Sequence, residues 1–108
     1  MEVRVEDRNA AKVVLVKGDV DMGSSRKLRE VLKDLTSKKT KRIVIHLKDM
    51  PYIDSSGLAT LVECFRETQK YKGELRLAEL TTNVREVFRL ARLDTVFPIF
   101  PNADAALA

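Results

Sequence analysis

The residues best suited to chemistry stand together in the stretch Asp54-Ser55-Ser56-Gly57. They separate an aromatic and β-branched segment from an amphipathic run, so we expect them at the junction between a strand and a helix start. Backbone N–H groups at a helix start lack partners, and the aligned peptide dipoles place roughly half a positive charge there. Because such an end stabilises an anion, the pattern predicts that Ser55 is a phosphorylation switch. Capping alone also favours Asp, Ser and Gly at a helix start, which leaves a purely structural interpretation open.

A phosphate on Ser55 is expected to act mainly on a docked partner. It would add about −1.5 to −2 charges at neutral pH beside Asp54, and an interface would have to desolvate that dianion. Upsetting a charge balance in an interface costs about 2 to 5 kcal/mol, which weakens binding by roughly tens to thousands of fold. The fold should persist while the contact is lost, as a reversible switch requires. We interpret Gly57 as keeping the helix start uncluttered, so that a kinase active site can approach Ser55.

A catalytic role would make Ser55 or Ser56 a nucleophile, and a nucleophilic serine needs a neighbouring base. The single histidine, His46, lies within an apolar strand pattern, and neither serine is framed as a Gly-x-Ser-x-Gly elbow. Cys64 falls on or beside the buried face of a predicted helix, which indicates a core residue rather than a reactive thiol. No metal-ligand spacing or phosphate-cradling glycine loop is present. We therefore expect neither catalysis nor a bound cofactor.

The composition fits one domain spanning residues 1–108, with 44% hydrophobic and 33% charged residues. No apolar run reaches the ~18 residues of a membrane span, and residues 1–11 contain no apolar export signal. The lone cysteine cannot form an intramolecular disulfide, so we expect a cytoplasmic protein. The net charge is +4, but basic and acidic residues interleave along the predicted helices. The basic cluster at 37–42 is interpreted as a solvated loop, and neither nucleic acid nor a membrane is expected as a direct partner.

Hydrophobic periodicity predicts most of the elements. Alternation over 2–6 and a β-branched run over 12–17 predict a hairpin, and the continuously apolar 42–47 predicts a central strand covered on both faces. Apolar residues at helical spacing predict one helix from residue 24 onward, whose N-cap lies among Asp21, Gly23 and Ser24. A second helix should begin just after Asp54, run toward Tyr71 and end at Lys72-Gly73.

The remaining third of the chain predicts two more strands and two more helices. Residues 74–78 alternate, and Asn83 with Glu86 forms a capping-box pattern for a third helix. Residues 96–100 can form a final strand that belongs at a sheet edge because Pro98 and Pro101 lack backbone donors. A short helix closes the chain. The fold class is therefore α/β, with a mixed four- to five-stranded sheet, an N-terminal hairpin and about four helices, and Ser55 should lie at the edge where strand ends and helix starts collect.

The whole chain resembles the STAS-domain family, and in particular its stand-alone bacterial anti-sigma factor antagonists. The resemblance rests on four segments of the sequence. They are GDVD at 18–21, IVIHLKDMPYIDSSGLATLV at 43–62, GELRLAEL at 73–80 and VFRLARLDTVFPIF at 87–100.

The resemblance implies that Ser55 is phosphorylated by a partner anti-sigma factor, itself a serine kinase of the histidine-kinase-like ATPase fold. The unmodified protein would bind that kinase and free a sigma factor, and a serine phosphatase would reset the switch. Asp21 matches an acidic position of the family and would lie beside Ser55. The implied partner-binding residues are Asp21, Asp54, Ser56, Gly57 and Leu58.

Two positions depart from the family pattern. His46 stands where the family usually carries Asp or Asn, and Arg92 stands where a glycine is frequent after the third helix. We interpret His46 as a packed, hydrogen-bonded strand residue. The family also includes subunits of lipid ABC transporters and stress-signalling scaffolds, so a role of that kind is the alternative.

Overall fold

The computed structural model describes residues 1–108, which form five strands and four helices. The elements are β1 (Glu2–Arg8), β2 (Ala11–Lys17), α1 (Ser25–Ser37), β3 (Arg42–Asp49), α2 (Ser55–Lys70), β4 (Glu74–Ala78), α3 (Thr82–Leu90), β5 (Ile99–Phe100) and α4 (Ala103–Leu107). Every element predicted from the sequence is present, in the predicted order. None of the helices combines the length and apolar character needed to cross a membrane.

The five strands form one mixed sheet in the order β1-β2-β3-β4-β5. β1 and β2 pair antiparallel, and the other neighbouring pairs are parallel. The hairpin turns through Asn9 and Ala10, whose φ angles of 50° and 63° correspond to a type I′ turn, the two-residue turn that matches the twist of paired strands. The predicted mixed sheet with an opening hairpin is confirmed.

The sheet buries both of its faces around β3. Ile43 and Ile45 point into the larger hydrophobic cluster, which includes side chains of α1, α2 and α3. Val44 points the other way, into a smaller cluster that α4 closes with Ala106 and Leu107. All three β3 residues are fully buried, as the apolar run over 42–47 predicted.

Two helix ends refine or correct the sequence interpretation. Ser24 is the N-cap of α1 and was among the three candidates. The left-handed residue that ends α2 is Lys72, with φ 61°, and not Gly73. Gly73 instead makes room for an aromatic ring, because a Cβ there would lie 2.5 Å from Cε1 of Tyr71. The hydroxyl of Tyr71 donates to the carbonyl of Thr40 at 2.8 Å, which fixes that ring in place.

The capping box expected at Asn83 is wrong. α3 begins one residue after Thr81, whose hydroxyl oxygen accepts from the backbone N–H of Val84 at 3.4 Å. The same hydroxyl donates to the carbonyl of Met50 at 3.1 Å and so ties α3 to the loop after β3. Glu86 pairs with Arg89 on the same helix instead of reaching back to cap it.

Two further features that the sequence analysis singled out lie in the chain after α3. Arg92 adopts a left-handed conformation with φ 58°, so this helix end accepts a non-glycine residue where the geometry favours glycine. The final strand is confirmed as an edge strand, but it comprises only Ile99–Phe100. The carbonyl of Pro98 accepts from the N–H of Leu77 at 2.9 Å, but Pro98 has no N–H to donate to β4.

We predict that Arg92→Gly stabilises the domain by about 0.5–1 kcal/mol, because glycine adopts a left-handed conformation without the steric cost that arginine bears. The matched control is Arg85→Gly within α3, which should destabilise by about 0.5–1 kcal/mol. Urea unfolding measures both changes. If both variants changed the free energy of unfolding in the same direction, the backbone strain assigned to Arg92 would be contradicted.

Candidate functional site

The candidate site lies where the chain leaves two neighbouring parallel strands. Val20, after β2, and Ile53, after β3, form an isolated parallel bridge. The N–H of Val20 donates to the carbonyl of Tyr52 at 2.9 Å, and the N–H of Asp54 donates to the carbonyl of Val20 at 3.0 Å. These bonds fasten the two loops together, so the residues that follow each strand form one surface.

Asp54 is the N-cap of α2, as expected for a helix that begins just after it. Its Oδ1 accepts from the backbone N–H of Ser56 at 2.9 Å, the N–H of Gly57 at 3.1 Å and the hydroxyl of Ser56 at 2.6 Å.

These hydrogen bonds lower the pKa of Asp54 below its ordinary value of 3.8. The hydroxyl of Ser56 is the largest cause, followed by the N–H of Gly57, and the N–H of Met22 also contributes. The carboxylate is therefore charged at neutral pH.

The two adjacent serines differ in what their hydroxyls do. Ser56 is half-buried and its hydroxyl is held by Asp54. Ser55 is exposed as the first residue of α2, and its hydroxyl takes part in none of the hydrogen bonds within the domain. Ser55 is therefore the hydroxyl of this pair that a second protein can reach.

The start of α2 stabilises an added anion less than the sequence suggested. Two of the N–H groups of the first turn, those of Ser56 and Gly57, already donate to Asp54. A phosphate on Ser55 would meet the remaining dipole field together with the negative charge of Asp54. An anion added at Ser55 is therefore exposed and poorly neutralised, which strengthens the expected effect on a docked partner.

The interpretation of Gly57 as an opening toward solvent is corrected. Gly57 is buried, and a Cβ there would lie 2.5 Å from Cγ1 of Ile53 and 2.9 Å from Cγ1 of Val20. Its missing side chain lets α2 pack closely onto the bridge between the two loops. Gly57 therefore lies beneath the surface and sets the position of Ser55. Leu58, beside it, is half-buried against the core.

Asp21 lies on the loop that the bridge holds against Asp54. Its Oδ1 accepts from the N–H of Gly23 at 3.0 Å and the N–H of Ser24 at 3.1 Å, so the carboxylate organises the turn that enters α1. The residue itself is exposed. The next residue, Met22, approaches Asp54 through its backbone N–H.

Two apolar residues at this surface were missed by the sequence interpretation. Met22 is 83% exposed and Tyr52 is 50% exposed, one on each of the fastened loops. Both are large apolar side chains left exposed beside the candidate site. The available signal was their position in loop segments, outside every amphipathic pattern.

Neither His46 nor Cys64 joins the serines. Nε2 of His46 lies 3.0 Å from Oε1 of Glu79, which confirms a hydrogen-bonded strand histidine. Cys64 is buried, and burial is the main cause that raises its pKa to about 12. The predicted core role of Cys64 is confirmed.

Comparisons with known proteins agree on the fold and on the family. A family model described as the STAS domain matches residues 2–106. The anti-sigma-B factor antagonist of Bacillus subtilis is 30% identical over 94 residues, which cover 87% of this chain and 85% of the relative. A crystal structure of an anti-sigma factor antagonist from Mycobacterium paratuberculosis superposes with a TM-score of 0.90 at 27% identity, covering 98% of this chain and 90% of that one. The Bacillus cell fate determinant SpoIIAA in its phosphorylated form shares the fold, with a TM-score of 0.77 at 18% identity over 98% of this chain and 96% of that one.

We predict that Asp54→Ala lowers stability at neutral pH and that the deficit shrinks at acidic pH. The folded-state pKa of Asp54 is depressed, so its contribution is present above the ordinary value of 3.8 and is lost as the pH falls through the lower folded-state pKa. The difference in melting temperature between wild type and variant, measured from pH 7 to pH 2, tests this.

The control variant is Asp54→Asn, which keeps an acceptor oxygen but carries no titrating charge. Its melting temperature minus that of Asp54→Ala should vary little with pH, because neither variant titrates at residue 54. The prediction fails if the melting temperature of the wild type exceeds that of Asp54→Ala by the same amount from pH 7 to pH 2. The charge of Asp54 would then not stabilise the helix start.

Proposed function

The chain belongs to the STAS-domain family, among the bacterial anti-sigma factor antagonists, and on this premise we propose that it binds an anti-sigma factor and is released from it by phosphorylation of Ser55. The partner we propose is a serine kinase of the histidine-kinase-like ATPase fold that otherwise holds a sigma factor. A serine phosphatase would restore the binding form. In this proposal the protein is a cytoplasmic regulator and not a catalyst.

One observation carries the choice of Ser55. Its hydroxyl is exposed and free at the start of α2, whereas the neighbouring hydroxyl of Ser56 donates to Asp54 at 2.6 Å. A kinase needs its acceptor oxygen accessible and unengaged, so the contrast between the two serines supports phosphorylation of the first.

The phosphoryl transfer needs nothing from this chain except the acceptor. The Ser55 oxygen attacks the γ-phosphorus of ATP, a new P–O bond forms, and the bond from that phosphorus to the β–γ bridging oxygen breaks. ADP leaves and the hydroxyl proton passes to a base of the kinase. The phosphatase step is hydrolysis of the same ester by water.

The proposed docking surface combines a polar centre with apolar flanks. Ser55 and Asp54 lie at the centre, and Asp21, Ser56 and Leu58 lie around them in the proposal. Met22 and Tyr52 supply exposed apolar side chains on the two loops, and such residues commonly anchor protein interfaces. Gly57 contributes by position, since its close packing fixes the start of α2.

The inhibitory effect of the phosphate follows from this arrangement. Its charge would stand beside a carboxylate whose pKa is already lowered, where nearby N–H groups are engaged. Closing the interface would then require desolvating two neighbouring negative groups at once. The domain itself would keep its fold, because Ser55 is on the surface.

We predict that the partner kinase, recovered by pull-down from the host, phosphorylates Ser55 when mixed with the protein and ATP. Intact-mass and peptide mass spectrometry should show one phosphate, and Ser55→Ala should abolish it without altering the circular dichroism spectrum. The matched variant Ser56→Ala should still be labelled. Phosphate on Ser56 or Thr60 would refute the assignment, and recovery of a transporter complex instead of an ATPase would favour the alternative STAS role.

We further predict that Ser55→Asp weakens binding to the partner kinase by about tenfold or more. The aspartate supplies about one charge where phosphate supplies about two, so phosphorylated protein should bind more weakly still. Isothermal titration calorimetry measures both. Thr95→Asp places the same charge at an exposed loop position and should bind like wild type. Equal affinities for wild type and Ser55→Asp would sink the electrostatic mechanism.

A further inference from the structure

The outer edge of β1 is an unpaired strand edge. β1 is the first strand of the sheet and has only β2 as a neighbour. Its seven residues pair with β2 in continuous register without a bulge, and the strand contains no proline. Val5 at its middle is 42% exposed. Natural sheets usually shorten, bend or cover such an edge, because its free backbone groups are a template for another strand.

The hairpin turn determines which backbone groups face outward. In a two-residue type I′ turn, the carbonyl of Arg8 accepts from the N–H of Ala11, so the backbone of Arg8 faces β2. Alternate residues of an antiparallel strand share that orientation. The backbone groups of Val3, Val5 and Asp7 therefore face away from β2 and are free to bond another strand.

The charges along β1 are complementary to those of a second β1 strand that runs in the opposite direction. Glu2, Arg4, Glu6 and Arg8 alternate in sign along one face of the strand. Glu2, Arg4 and Glu6 take part in none of the ion pairs of this chain, whereas Arg8 pairs with Asp104 at 2.9 Å. Arg4 and Glu6 thus lack an oppositely charged partner within the domain, whereas Glu2 stands directly across from Lys17 of β2.

An antiparallel pair of β1 strands centred on Val5 satisfies the charges and the backbone together. Glu2 then stands opposite Arg8 of the second copy, and Arg4 stands opposite Glu6 of the second copy, with both pairs repeated by the two-fold axis. The outward-facing backbones of Val3, Val5 and Asp7 oppose one another in hydrogen-bonding register. Opposite charges directly across a strand pair stabilise the pairing.

Neighbouring registers lose this match. Centring the pair on Arg4 places Arg4 opposite itself and Glu2 opposite Glu6. Centring it on Glu6 places Glu6 opposite itself and Arg4 opposite Arg8. Like charges directly opposite destabilise a strand pair, so the charge pattern selects the register centred on Val5.

We propose that a second copy of this chain pairs antiparallel with it along β1, so that two five-stranded sheets join into one of ten strands. This dimer is independent of the proposed regulation. Ser55 follows β3, two strands away from the edge, so pairing along β1 leaves Ser55 of both copies uncovered. One strand edge is a small contact, and we expect a reversible dimer that forms between about 10 μM and 1 mM.

Sedimentation velocity over this concentration range, at low and high salt, tests the proposal on the full chain. Arg4→Glu or Glu6→Arg alone places two like-charge pairs across the axis and should weaken dimerisation by about tenfold or more. The double variant Arg4→Glu with Glu6→Arg restores opposite charges and should restore the dimer. Arg85→Glu, an exposed reversal on α3, is the matched control and should dimerise like wild type.

A pair of proline variants tests the backbone register separately. Val5→Pro removes an outward-facing N–H, so it should abolish the dimer while leaving the thermal melt of the monomer nearly unchanged. Glu6→Pro removes an N–H that bonds β2, so it should destabilise the hairpin itself. A protein that stays monomeric to about 1 mM would overturn the proposal, as would charge reversals without rescue by the double variant or a dimer that tolerates Val5→Pro.

Discussion

The carboxylate of Asp54 is the interaction on which the site depends. It holds two backbone N–H groups and one hydroxyl, and so fixes the start of α2, occupies its neighbour Ser56 and leaves Ser55 free. The bridge between Val20 and Ile53 then secures that helix start against the preceding loop. One charged cap therefore makes the two serine hydroxyls inequivalent, which is the basis for proposing that Ser56 is structural and that Ser55 is the phosphorylated residue.

Much of this arrangement could be predicted because it depends on local sequence. Apolar periodicity predicted most of the elements, and the Asp-Ser-Ser-Gly stretch was correctly placed at a helix start. The errors arose where distant residues decide a local question. Thr81 caps α3 in place of Asn83 because its hydroxyl also reaches Met50 across the fold. Gly73 is needed beside the ring of Tyr71, which a hydrogen bond to the distant Thr40 holds in place, while Lys72 takes the left-handed turn.

The site shows the same division between local and distant causes. Asp54 caps α2 through residues two and three positions away, so this cap could be predicted from the local sequence. The burial of Gly57 depends on Val20, which is far away in sequence and comes near only through the pairing of two loops. The exposure of Met22 and Tyr52 likewise could not be settled from their loop positions alone, since an apolar loop residue can equally fold inward.

The close packing of Gly57 has a consequence for how this motif tolerates change. Position 57 has no room for any side chain, so every substitution there would destabilise the domain itself, whether or not a partner is present. Position 55 faces solvent, and the isolated domain would accept many residue types there. The two positions, two residues apart, are therefore under different constraints: position 57 is restricted by internal packing, and position 55 is restricted only where a second protein docks as proposed. A deep mutational scan scored once for abundance and once for signalling would separate them.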